Sequence, residues 1–134
     1  PEIEQELSCA ANTSVTVSFT PHLLPISRGI LSTIYASIKP GTEAEDIAEI
    51  YAQAYQDETF VRLLPLGAIP ATQHVRGSNY CDIGFAIDKR TSRLVAMSAI
   101  DNIVKGAAGQ AVQNMNILMG FQEDAGLEGA PFFP

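Results

Sequence analysis

Three stretches of this chain hold residue types that can do chemistry. His22 lies in Thr20-Pro21-His22-Leu23-Leu24-Pro25, with a proline on either side. Proline fixes φ, so the imidazole is expected to be held in one place at the end of a strand, a sensible mount for a general base or an orienting group. A histidine that merely hydrogen-bonds in a turn fits the same residues. Ser27-Arg28-Gly29 follows at once, and Val75-Arg76-Gly77-Ser78-Asn79 offers a second arginine beside a glycine. Guanidinium groups recognise phosphate or carboxylate in a planar, bidentate way, and a glycine lets an anion approach the backbone. Taken alone, Arg28 is better read as a surface arginine at a strand start, and the Arg76 segment is equally a polar turn before a strand. His74 has no motif of its own.

The third stretch is Lys105-Gly106-Ala107-Ala108-Gly109-Gln110-Ala111. Two glycines inside a helical pattern each cost up to about 1 kcal/mol relative to alanine, so something is expected to press against the helix backbone there. A helix, a sheet or a flat cofactor ring would serve. Asn114, about one turn on, could hydrogen-bond a carboxamide; plain close packing is the simpler reading. Cys9 and Cys81 are far apart, match no zinc spacing and have no nucleophile motif around them, so no metal site is expected. No G-x-G-x-x-G phosphate loop occurs.

The elements that must position these residues are legible in outline. Residues 2–9 read as a helix already under way, with Pro1 in its first turn. Residues 14–20, Ser-Val-Thr-Val-Ser-Phe-Thr, alternate with period two and predict a half-buried strand. A second strand is predicted over 29–38. Thr42-Glu43-Ala44-Glu45 forms a capping box, Thr42 accepting from the Glu45 N–H, ahead of a helix over 43–56. A short strand over 59–64 and a loop over 65–70 come next. A hairpin of 81–87 and 93–100 is predicted around Asp88-Lys89-Arg90-Thr91-Ser92. Asp101 or Asn102 caps the last helix, which carries an apolar stripe from Ile103 to Met119 and ends at Gly120. The tail is rich in Gly and Pro and closes on Phe132-Phe133-Pro134. Consecutive strands predict an α+β fold with a mixed, mostly antiparallel sheet.

Composition excludes several classes. With 46% hydrophobic and 17% charged residues over 134 positions, the chain can build a core and is not disordered. A net charge of −7 makes it a poor binder of nucleic-acid backbones. No apolar run is long enough to span a membrane, and no signal peptide is visible. Two distant cysteines suit a reduced, cytoplasmic chain.

Four segments together resemble one family. Thr20-Pro21-His22-Leu23-Leu24-Pro25-Ile26-Ser27-Arg28-Gly29-Ile30, Val75-Arg76-Gly77-Ser78-Asn79-Tyr80-Cys81-Asp82-Ile83-Gly84, the run from Ser98 to Asn116, and the ending from Gly120 to Pro134 are similar to N-acetyl-γ-glutamyl-phosphate reductases. The resemblance covers essentially the whole chain. It implies a sheet fold like the C-terminal domain of glyceraldehyde-3-phosphate-dehydrogenase-like enzymes. Residues 1–100 would form part of a substrate-binding and dimerisation domain, and 101–134 would pack on a separate Rossmann domain. It implies NADP as cofactor, N-acetyl-γ-glutamyl phosphate or its semialdehyde as substrate, and a homo-oligomer in arginine biosynthesis.

Residue by residue, the resemblance makes His22 the catalytic histidine, Arg28 and Arg76 substrate contacts, and Gly109 and Asn114 cofactor contacts. The family's Asn-Pro-Gly-Cys-type nucleophile motif does not occur in this sequence, and Cys81 belongs to another motif. The stretch is therefore expected to be inactive alone. A non-catalytic oligomerisation or binding module, and a reductase of the aminoadipate homologue, are the alternatives; one methylene is worth only about 1–3 kcal/mol, too little for sequence to decide.

Overall fold

The computed structural model describes residues 2–132. Pro1, expected in the first turn of the opening helix, and Phe133-Pro134 of the tail lie outside the described residues. Helix α1 (Glu2–Ala11) is followed by β1 (Ile30–Ser37), α2 (Ala44–Tyr55), β2 (Val61–Leu63), a 3₁₀ turn (Thr72–His74), β3 (Cys81–Asp88), β4 (Arg93–Ile100), a π-helical turn (Val104–Ala108) and α3 (Gly109–Met119). The strands form one sheet in the order β1-β4-β3-β2. β1 and β3 both run antiparallel to β4, and β2 runs parallel to β3. The mixed, mostly antiparallel α+β sheet is thus as the strand pattern predicts.

The hairpin forms because Asp88 organises its own turn. Its carboxylate takes the Arg90 N–H at 3.0 Å and the Thr91 hydroxyl at 2.7 Å, and Ser92 adopts φ +52°. Such Asx bonds are why aspartate favours turns. Register then stands Phe85, Ala96 and Ile34 in one cross-strand row. Helix α2 covers the β3 end of that row, with the Tyr51 ring 5.2 Å from Phe85. At the other end Ile34 is 56% exposed. The buried apolar set is Ile47, Phe60, Val75, Phe85, Ala96 and Ala99. The loop after β2 crosses the opposite face so closely that a Cβ on Gly84 would lie 2.5 Å from the Ala68 carbonyl oxygen.

Three expectations need correction. Residues 14–20 form no strand; they lean on α1, the Val15 N–H donating to Ser8 Oγ at 2.9 Å and the Val17 N–H to Glu4 Oε1 at 2.9 Å. The period-two pattern survives, Val15 and Val17 being half-buried between exposed neighbours, but no ladder partner lies beside it. The capping box sits one residue later than predicted, between Glu43 and Asp46. Thr42 is engaged elsewhere: its hydroxyl donates to the Lys39 carbonyl at 2.9 Å in the preceding turn.

The last helix also differs. It opens with a wide π turn in which the Gly106 N–H donates to the Asp101 carbonyl at 2.9 Å and the Ala108 N–H to that of Ile103 at 2.8 Å. It was expected to present Gly106 and Gly109 to an absent partner. Gly106 is exposed, but Gly109 is buried against its own chain. A Cβ there would collide with Asn79 Oδ1 and lie 2.7 Å from Val104 Cγ1. The helix is held by polar residues, Gln113 and Asn116 being buried, while Met115, Leu118 and Met119 face out. Its C-terminus is as predicted, Gly120 taking φ +71° with the Phe121 N–H donating back to the Asn116 carbonyl at 2.8 Å.

Gly109→Ala should therefore destabilise the chain by about 1–3 kcal/mol, the usual cost of forcing a methylene into a filled site. Leu118→Ala, at a side chain 84% exposed, should change stability by less than about 0.5 kcal/mol. Urea unfolding of the two variants measures both, and equal effects would contradict this account of α3.

Candidate functional site

The arginine-bearing turns meet around one buried carboxylate. Asp101 directly follows β4 and is wholly buried. Arg28 Nη2 reaches both of its oxygens, at 2.7 and 2.6 Å. The Gly77 N–H donates to Oδ2 at 2.7 Å, and the Ile103 and Val104 N–H groups to Oδ1 at 2.8 and 2.9 Å. Asp101 is therefore the helix cap that the sequence suggests and also the junction of two distant loops. Burial would raise its carboxyl pKa, but Arg28 and the N–H groups of Gly77, Val104 and Ile103 outweigh burial and hold it at about 2.

Asn102 adds a second tie, its Oδ1 taking the Gly29 N–H at 2.7 Å. Gly29 has φ +107°, and a Cβ there would lie 2.5 Å from Thr72 Cβ, so the turn after Arg28 and the 3₁₀ turn interlock. Between them lies a cleft of about 300 Å³ lined by Pro25, Ile26, Ser27, Arg28, Thr72, Gln73 and Arg76. A smaller depression of about 170 Å³ beside α2 is closed on one side by the Lys89–Glu43 pair and gathers no comparable set of groups.

The structure thus brings Arg28 and Arg76 into one cleft and gives them different tasks. Arg28 is tied to Asp101, and its Nε is buried with no partner among the described residues. Its charge is largely spent on the aspartate. Arg76 is exposed and, among the described residues, pairs with no carboxylate. His22 lies outside the cleft lining, on the exposed loop three residues before Pro25. Beside it, Leu23 projects fully into solvent. Asn114 is exposed on α3, its Oδ1 taking Gln110 Nε2 at 3.0 Å. Gly109 is not at the surface, and its small size is explained by Asn79.

Cys81 is half-buried, and burial raises its thiol pKa, with Lys105 only partly opposing. It stays protonated, a poor nucleophile. Among the described residues no three His, Cys, Asp or Glu side chains converge on a metal-sized site. No described helix is long and apolar enough to cross a membrane.

Sequence reasoning missed two further groups. Arg62 pairs with Asp82 at 2.6 Å and lies over the Tyr80 ring at 4.5 Å. Under α3, Gln113 Oε1 accepts from both Asn79 Nδ2 at 2.9 Å and Lys105 Nζ at 2.7 Å, while its Nε2 donates to Glu123 at 2.5 Å. The signal was present in the polar residues at i and i+3 of the helix, Gln113 and Asn116, on a different side from the exposed Asn114.

Comparison with known proteins identifies the family and the fold. The family described as semialdehyde dehydrogenase, dimerisation domain, matches residues 1–102. The chain is 67% identical over its whole length to an N-acetyl-gamma-glutamyl-phosphate reductase of Desulfotalea psychrophila and 60% identical to one of Geobacter metallireducens. It spans 39% of the length of each. Among solved structures, aspartate semialdehyde dehydrogenase II from Vibrio cholerae shares the fold with a TM-score of 0.58 at 21% identity, over 72% of this chain and 29% of that one.

The Asp101 carboxylate has a testable pH signature. A carboxyl whose folded pKa is depressed stabilises the fold above its unfolded value and loses that contribution as pH falls through the folded value. Here the window runs from the ordinary 3.8 down to about 2. The chain should lose about 2–3 kcal/mol across it through this group. Asp101→Asn should be less stable at pH 7 by on the order of 3 kcal/mol and show a flatter acid limb. Urea unfolding at a series of pH values decides; an unchanged acid limb would exclude Asp101 as the source.

Proposed function

This chain belongs to the semialdehyde dehydrogenase dimerisation-domain family, and on that premise we propose that it is the substrate-binding and self-association part of an N-acetyl-γ-glutamyl-phosphate reductase. The proposed overall reaction takes N-acetyl-γ-glutamyl phosphate, NADPH and a proton to N-acetylglutamate semialdehyde, phosphate and NADP. The observation that carries the reading is the cleft with Arg28 and Arg76 in its wall. A substrate with a carboxylate at one end and an acyl phosphate at the other needs cationic groups, and the Asp101 junction fixes the Arg28 guanidinium and the backbone beside Arg76.

In this reading Arg76 meets the substrate anion directly. Arg28 shapes the wall and adds the N–H groups that Asp101 leaves free. Ser27, Thr72 and Gln73 supply neutral polar groups along the same lining. His22, on the loop leading into the cleft, would move the proton at the substrate's carbonyl oxygen. The nucleophilic cysteine would come from the remainder of a longer polypeptide, such as that of the relatives.

The residues present fit a nicotinamide cofactor in a limited way. Gly106, Ala107 and Ala108 are exposed and carry nothing beyond Cβ, a surface that suits a planar ring, and the Asn114 amide is exposed on the same helix. When bound, NADPH supplies the hydride. A dinucleotide-binding domain would cover the outward stripe of α3, where Leu118 is 84% and Met119 66% exposed. Self-association would use the exposed flank of β1, where Leu31 and Tyr35 are 50% and 65% exposed. Both cysteines are free, as suits a cytosolic enzyme.

In the complete enzyme, Arg76→Ala should raise KM for the acyl phosphate about tenfold or more, the loss of one charge-assisted contact. An unchanged KM would remove Arg76 from the substrate site. His22→Ala should lower single-turnover hydride transfer by about 10²–10⁴-fold, the range for a positioned acid–base group. A rate within a few-fold of the parent enzyme would reject His22 as the proton carrier.

A further inference from the structure

The cleft wall has a support outside the elements described so far. The peptide group joining Arg76 to Gly77 is held on both sides. Its N–H donates to Asp101 Oδ2 at 2.7 Å, and its carbonyl accepts from the Phe132 N–H at 2.8 Å. Gly77 itself has φ +74°, and a Cβ on it would collide with the Phe132 ring. The tail of the chain therefore returns across 55 residues of sequence, from 132 to 77, to lie on the glycine that follows the cleft arginine.

Burial does not account for this placement. The Phe132 side chain is 70% exposed, so its contact with Gly77 removes little apolar surface from water. What the contact does is geometric. A peptide flanked by a residue at positive φ can rotate unless both its polar groups are engaged. Asp101 engages one and Phe132 the other. With both in place, the direction in which the Arg76 side chain leaves the backbone is set. With only Asp101, the carbonyl is free and the turn can swing about Gly77.

We propose that Phe132 is a positioning residue for the anion cleft, fixing the Arg76–Gly77 peptide so that Arg76 stays in the cleft wall beside Arg28. The proposal rests on the reading of that cleft as an anion site. It gives the C-terminal tail a task in substrate binding, although Phe132 does not line the cleft. Asp101 orders Arg28 directly and Arg76 through the backbone; Phe132 completes the second arm.

The test uses the full chain and inorganic phosphate as probe, with two variants. Phe132→Pro removes the N–H donor, and Phe132→Ala removes the ring while keeping the donor. Phosphate affinity is measured by titration, following the Arg28 and Arg76 side-chain Nε–H signals by nuclear magnetic resonance. In Phe132→Pro the affinity should fall about fivefold and the Arg76 signal should broaden or move, with the Arg28 signal unchanged. Phe132→Ala should show a smaller change in the same direction. The thermal midpoint should stay within a few degrees, since little burial is lost, which a merely stabilising role would not predict. Unchanged affinity and an unchanged Arg76 signal in both variants would overturn the proposal.

If phosphate moves neither arginine signal in the parent chain, the cleft reading fails by itself. The positioning of the peptide is then decided by hydrogen exchange at the Gly77 N–H. Exchange about tenfold faster in Phe132→Pro supports it, and exchange at the parent rate refutes it.

Discussion

The Asp101 carboxylate is the constraint on which the rest of this structure depends. It is fully buried and ionised, and a buried charge is tolerated only when it is paired and its lone pairs are filled. Four groups fill them: the Arg28 guanidinium and the N–H groups of Gly77, Ile103 and Val104. Those groups come from three separate parts of the chain. The loop into β1, the turn before β3 and the start of the last helix are thereby joined at one point. Asp101 also directly follows β4, the strand that pairs with both β1 and β3, so the junction is referenced to the middle of the sheet. Any account of the cleft begins there, because both arginines owe their place to it.

The same economy explains why the last helix is turned with its apolar side outward. Its inner face must pass close to Asn79, which is 1% exposed and sits directly after the Gly77-Ser78 turn. Only a residue without a side chain can face it, hence Gly109. The next inward positions, Gln113 and Asn116, answer polar groups: Gln113 serves Asn79 and Lys105, and Asn116 Nδ2 donates to the carbonyls of Glu123 and Ala125. A helix held by such a network has no use for its methionines and leucines inside. They form a surface patch instead, Met115, Leu118 and Met119 all being exposed.

Legibility from sequence followed the range of the interactions. The hairpin, α2 and the end of α3 rest on signals within a few residues: an aspartate at the turn, periodic apolar residues, a glycine at the C-cap. Those were read correctly in kind and nearly in extent. The capping box was displaced by one residue because Thr42 had a competing local acceptor in Lys39, a contest that the pattern does not reveal. Residues 14–20 kept their alternation but not their strand, because a ladder needs a neighbour and pattern alone cannot supply one. The pairing of Arg28 with Asp101 spans 73 residues and left no trace in either segment. The two arginine turns could be suspected of binding an anion, but their meeting in one cleft could not be foreseen.

Arg28 shows how the distance between sequence and site matters for function. Read locally, Ser27-Arg28-Gly29 and Val75-Arg76-Gly77 are two versions of one motif, an arginine beside a permissive glycine. In the fold they diverge. Gly29 is pinned by Asn102 and Thr72, and its arginine turns onto a carboxylate that takes most of its charge. Gly77 has its N–H on that same carboxylate, and the arginine before it, Arg76, pairs with no carboxylate among the described residues. A single aspartate thus takes up one guanidinium and, at the same time, holds the backbone N–H that follows the other. In the proposed reading, an anion entering the cleft would meet a wall that carries roughly one net positive charge rather than two. Fixing a donor before the ligand arrives lowers the entropy lost on binding. A cleft built in this way favours recognition by position over attraction at long range, which is consistent with a chain whose overall charge is −7.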